Sequence, residues 1–163
     1  MMRFSIKDLA IQASIAAIYV VLVLVLPWIS FGPIQARVAE ALLVIVFFSN
    51  KHMIGLMIGT LIANLLGSPY PLDWIFGTLA TLIVLILLII GKKLWISSII
   101  VFPSLINGLV IAGIISYSAS NWSIYGLTAL WIGVGELLVV TILGIPLKLM
   151  LDRSPSLKSY LIN

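Results

Sequence analysis

The chain has 163 residues, of which 63% are hydrophobic and only 9% charged, and its mean hydropathy is +1.29. That is far more apolar surface than a soluble domain of this size can bury, so the composition specifies an integral membrane protein. There is no cysteine and one histidine, His52, which excludes disulfide scaffolds, zinc sites and thiol nucleophiles and leaves little room for an enzyme, a metal or a cofactor.

Taken in order, residues 9–29 form a first spanning helix, preceded by Arg3 and Lys7 and ended by Pro27, Gly32 and Pro33. The apolar runs are too many and too long for this one to be only a cleaved signal peptide, so the N-terminus is expected to be retained. Ala10, Ala13, Ser14 and Ala17 put small side chains on one face, where a second helix can approach closely. Residues 38–50 and 52–66 are shorter apolar segments separated at Asn50-Lys51-His52, each below the ~20 residues of an upright span. Residues 72–90, 94–117 and 122–147 complete the set.

Charge decides between one kinked helix and two short ones. With two, the chain crosses six times, and Arg3, Lys7, Lys51, Lys92, Lys93, Lys148, Arg153 and Lys158 share one side with only Arg37 opposite. The positive-inside rule therefore predicts one all-α transmembrane domain of six helices over residues 1–163, with both termini cytoplasmic. His52 then reads as a solvated residue of an inner turn. Trp28, Tyr70, Trp74, Tyr117 and Trp122 fall at the outer boundary and Trp95 at the inner one, an aromatic belt in which Trp74 is also a possible stacking surface for a ligand.

The polar residues left inside the spans are distributed unevenly. Gln35, Arg37, Glu40, Asn64, Asp73, Asn107 and Glu136 come from several segments yet all occupy the outer half, Asn107 lying ~15 Å below Tyr117 and Glu136 near the midplane. The inner half is almost pure hydrocarbon, which describes a polar pocket opening outward and closed below. Ionisable groups at such depth are costly and point to function. For each there is a plainer reading: Arg37 snorkelling with Glu40 as its local partner, Asp73 capping its helix, Asn107 bonding across helices. Glu136 is the hardest to explain that way, because Gly133 and Gly135 beside it remove side chains that would fill the space. Three carboxylates, Glu40, Asp73 and Glu136, face one guanidinium, Arg37, so the pocket suits a cation or a molecule rich in N–H donors. A carboxylate that accepts two N–H bonds side by side fits a guanine-type edge.

The run Ile34-Gln35-Ala36-Arg37-Val38-Ala39-Glu40-Ala41-Leu42, with residues 59–67, Asp73-Trp74 and Gly135-Glu136-Leu137, resembles the QueT family, the substrate-binding S components of energy-coupling-factor (ECF) transporters for queuosine precursors. The resemblance covers nearly the whole chain. It implies an ECF S-component-like six-helix bundle that captures a deazaguanine base at the outer face and works with a shared transmembrane coupling subunit and two cytosolic ATPases. Nucleic acid is not among the implied partners. In such S components an Ala-x-x-x-Ala pattern on the first helix meets the coupling subunit, and Ala13 with Ala17 matches it. Members of the family often carry Phe at the position of Ala36 and Ser at that of Ala39, and this chain departs from both.

The residues independently imply partners, since no phosphate-binding glycine loop and no soluble region of ATPase size is present. Gly55, Gly59, Ala63 and Gly67, at four-residue spacing, are assigned to packing within the chain. Two other readings are an S component for another vitamin-like heterocycle and a self-sufficient small carrier in which Glu136 relays protons.

Overall fold

The computed structural model describes residues 5–162; Arg3, one of the basic residues expected on the inner side, lies outside them. The described residues are helical throughout, with no strand. α1 (Ile6–Val25) begins earlier than hydropathy alone places it, because Ser5 and Asp8 form a reciprocal capping box: the Ser5 hydroxyl accepts from the Asp8 N–H, and Asp8 Oδ2 accepts from the Ser5 N–H at 2.8 Å. A one-turn α2 (Pro27–Ser30) follows, then an irregular loop to Arg37.

The next segment, Val38–Phe47, is a 3-10 helix of ten residues. This element is longer than its residue number suggests. At ~2.0 Å per residue a 3-10 helix of this length reaches ~20 Å, against ~15 Å for the same residues in an α-helix. It runs through the middle of the bundle, in contact with α1, α3, α4, α5, α6 and α7, and buries Ala39, Glu40, Ala41, Leu43, Val44, Ile45 and Val46. Burial on every side replaces the usual amphipathic stripe, so apolar content rather than period is what its sequence displays.

α3 (His52–Gly67) lies along α1. The four-residue row of small residues is the reason. A Cβ at Gly55 would come within 2.7 Å of the Gln12 carbonyl oxygen, and one at Gly59 within 2.8 Å of Tyr19 Cβ. The expected packing of α3 within the chain is what the structure contains. After a single π turn (Asp73–Gly77), α4 (Thr78–Ile90) crosses back, followed by α5 (Trp95–Ser118) and α6 (Tyr125–Val139), the most closely packed pair. Their crossing sits on Gly108 and Gly133: a Cβ at Gly133 would approach the Ser104 carbonyl to 3.2 Å. Gly133 is therefore a helix-contact residue, not one that opens space beside Glu136. A second π turn (Val140–Gly144) leads into α7 (Ile145–Arg153), and α8 (Pro155–Ile162) folds back.

Four helical paths are long and apolar enough to cross a membrane, Ile6–Val25, Asp73–Ile90, Lys92–Ser118 and Trp122–Arg153, and Val38–Phe47 and His52–Gly67 are the shorter apolar helices. Their outer surface is hydrocarbon: Val21, Ile58, Ile83, Leu105, Leu130 and Ile142 are all exposed. At one end of the bundle Lys51 pairs with Asp8, Lys92 bonds Asn50, and Lys7 lies 4.8 Å from the Tyr160 ring, so the first and last described helices meet there.

His52 departs from expectation. It is buried rather than solvated, its Nε2–H donating to the Leu161 carbonyl at 2.7 Å while Nδ1 accepts from Gln12 Nε2 at 3.1 Å. The Gln12 side-chain oxygen in turn accepts from the Gly55 N–H. A turn residue in the sequence becomes a clamp between α1, α3 and α8 because the C-terminal helix returns over it.

Candidate functional site

Toward the other end, polar side chains converge on the 3-10 helix. Arg37, the residue just before it, donates from Nη2 to Asp73 Oδ2 at 2.9 Å and from Nε to the Ser30 carbonyl, with its guanidinium 5.0 Å from the Phe31 ring centroid. It is buried, so it does not snorkel, and its ion-pair partner is Asp73 rather than Glu40. Asp73 does not cap a helix. The π turn swings it inward over Gly77, where a Cβ would overlap Asp73 Oδ1, and Asn64 secures the turn by donating from Nδ2 to the Asp73 carbonyl at 3.2 Å and to Thr78 Oγ1. A π turn inserts one residue into the helical ladder, and here that extra residue is what turns the carboxylate toward Arg37.

Glu40 lies one 3-10 turn beyond Arg37. Its Oε1 accepts from the Tyr19 hydroxyl at 2.6 Å, a short hydrogen bond. Glu136, from α6, is close enough to Glu40, Arg37 and Asn107 to interact with all three. Gly135 beside it leaves no cavity: a Cβ there would overlap the Ile34 carbonyl oxygen, so the loop before Arg37 rests in the notch of this glycine. Gln35 in that loop is buried with φ 47, a left-handed conformation uncommon for a residue with a side chain.

Gln35, Arg37, Glu40, Asn64, Asp73, Asn107 and Glu136 are thus brought together, each at most 5% exposed. They make a closed cluster rather than an open bowl. Trp74 is not part of it; the π turn that sends Asp73 inward leaves Trp74 38% exposed on the outside. Ala13 and Ala17 are exposed on α1, where they line shallow grooves with Ile58 of α3.

Buried oxygens without a hydrogen-bond partner mark the cluster: Glu40 Oε2, Glu136 Oε2, Asp73 Oδ1, Asn64 Oδ1 and Thr60 Oγ1, with Ser116 Oγ on α5. Each such atom costs about 1–3 kcal/mol when left dry. Carboxyl oxygens in the ionised form accept only, as the carboxamide oxygen does, so in that form what these atoms lack is donors. N–H groups brought to these oxygens would satisfy them. Tyr19 and, beside it, Thr60 join the cluster without having been singled out from sequence; a tyrosine hydroxyl inside an apolar run, which must find a partner when buried, was the available signal for the first.

The QueT transporter family profile matches residues 9–153, nearly the entire chain. The chain belongs to the QueT transporter family. This QueT-family chain is also 42% identical over 80 residues to the queuosine precursor transporter QueT of Lactococcus lactis subsp. cremoris (strain MG1363). That match covers 48% of this chain and 47% of the relative, about half of each. No solved structure matches. Family and helices together make this QueT-family chain a multi-pass protein of the cell membrane.

Proposed function

We propose that this protein is the substrate-binding S component of an ECF-type transporter that takes up a queuosine precursor, a deazaguanine base, from outside the cell. The observation that carries this reading is the pair of buried carboxylates, Glu40 and Glu136, each keeping one oxygen without a donor inside a cluster sealed from solvent. A base edge rich in N–H groups would satisfy them. Glu136 and Asn107 would take the base edge and Glu40 a further N–H or amino group. Arg37, Asp73 and Asn64 would frame the site, and Gln35 would belong to the loop over it. Trp74 would contribute only after a movement that turns it inward.

The proposed topology is six crossings of a single transmembrane domain over residues 1–163, both termini cytoplasmic. The inner end would then be the one where Asp8, Lys51, Lys92 and Tyr160 gather. The exposed Ala13 and Ala17 on α1 would dock the transmembrane coupling subunit, which would link the chain to two cytosolic ATPases.

Uptake of aminomethyl-deazaguanine into vesicles tests the scheme. Transport is expected only when the coupling subunit and ATPases are present, and Ala13→Trp or Ala17→Trp is expected to abolish uptake while sparing binding. Uptake by this chain alone would favour a self-sufficient carrier in its place. Mass spectrometry of the compound that co-purifies separates a deazaguanine from another vitamin-like heterocycle.

A further inference from the structure

The geometry points to Tyr19 as the positioning residue that fixes which oxygen of Glu40 meets the ligand, an inference that rests on reading the buried cluster as the substrate site. Tyr19 is fully buried on α1, and its root is held by the glycine row of α3: Gly59 lies so close that a Cβ there would come within 2.8 Å of Tyr19 Cβ and 3.2 Å of Ala16 Cα. The backbone of α1 therefore packs closely on α3 at this level, and the phenol, which also lies beside Thr60, donates to Glu40 Oε1 at 2.6 Å.

The consequence is an asymmetric carboxylate. Oε1 is occupied by the tyrosine hydroxyl, and Oε2 is buried and unpartnered. Glu40 thus offers one acceptor in one direction, not the two-oxygen face that would pair side by side with an amidine edge. The ligand group it receives is a single N–H, such as one proton of an ammonium or of a ring amide. Tyr19 itself touches no ligand; it acts through Glu40. Its hydroxyl donates to the carboxylate and so gives Glu40 one orientation, whereas toward an amide it could donate or accept. With glutamine there, the hydroxyl could bond either end of the amide, and the single fixed acceptor is lost.

The test is a double-mutant cycle read by calorimetric binding of aminomethyl-deazaguanine to the purified full chain. Tyr19→Phe keeps the ring against Gly59 and removes only the hydroxyl. It is expected to weaken binding about tenfold, the scale of losing one charge-assisted bond that holds the carboxylate in place. Glu40→Gln alone is expected to weaken binding more. Adding Tyr19→Phe to Glu40→Gln is expected to cost little more, because the carboxylate that the hydroxyl holds in place is already gone. A purely structural role for Tyr19 predicts the same loss in both backgrounds, and that result, or an unchanged affinity for Tyr19→Phe alone, overturns the inference. Unchanged affinity for Glu40→Gln would remove the substrate-site reading itself, and the role of Tyr19 with it.

Discussion

Replacing Arg37 by methionine tests whether the Arg37–Asp73 pair is the strut of the site. Methionine keeps the length and apolar stem of the side chain and deletes the charge. The two groups meet at 2.9 Å with side chains 5% and 2% exposed, so two unit charges at that distance in an effective dielectric of about 20 attract by about 6 kcal/mol. Desolvation offsets much of this, and the net value of the intact pair is small. Removing one partner is another matter. Asp73 Oδ1 already lacks a donor, and Arg37→Met would leave Oδ2 dry as well, an uncompensated buried charge worth about 3–5 kcal/mol of lost stability. The double change Arg37→Met, Asp73→Leu removes both charges and is expected to recover most of that. Equilibrium unfolding of the purified protein in detergent measures each. A loss below about 1 kcal/mol for Arg37→Met, or a double variant as unstable as the single one, would refute the reasoning.

Two further perturbations follow from the packing. Gly135→Ala in an ordinary helix would gain about 1 kcal/mol of helix propensity, but here the new methyl meets the Ile34 carbonyl, a backbone atom that cannot swing aside; both stability and ligand affinity are expected to fall, and a more stable variant that binds normally would contradict the loop's seat on α6. His52→Phe fills similar space but loses the bonds to Leu161 and Gln12, so amide hydrogen exchange across residues 155–162 is expected to speed up about tenfold while the outer cluster keeps its protection.

Much of the site was legible because charge inside hydrocarbon has few explanations. Gln35, Arg37, Glu40, Asn64, Asp73, Asn107 and Glu136 stood out individually, and depth counting along each span placed them in the outer half of the bundle; the structure buries all seven. The partner of Arg37 was not legible. Helical spacing favoured Glu40 three residues on, but Arg37 stands in extended backbone just before the 3-10 helix and a π turn brings Asp73 to it, and both depend on tertiary confinement that no local pattern encodes. The glycines beside Glu136 were read as empty space, whereas Gly133 meets α5 and Gly135 meets a loop; a missing side chain signals close approach, and sequence does not say of what. His52 was misplaced for a similar reason. Beside Lys51 it looks like a solvated turn, and only the return of α8, more than one hundred residues later in the chain, buries it.

The most direct measurement is calorimetric titration of aminomethyl-deazaguanine into the purified wild-type chain and into Glu136→Gln. The carboxylate oxygen of Glu136 that now lacks a donor becomes, in the variant, part of an amide that can present N–H where an acceptor is needed. The account predicts saturable binding to the wild type and a loss of at least about tenfold in Glu136→Gln, the scale of one charge-assisted hydrogen bond. Equal affinity in the two proteins would contradict it.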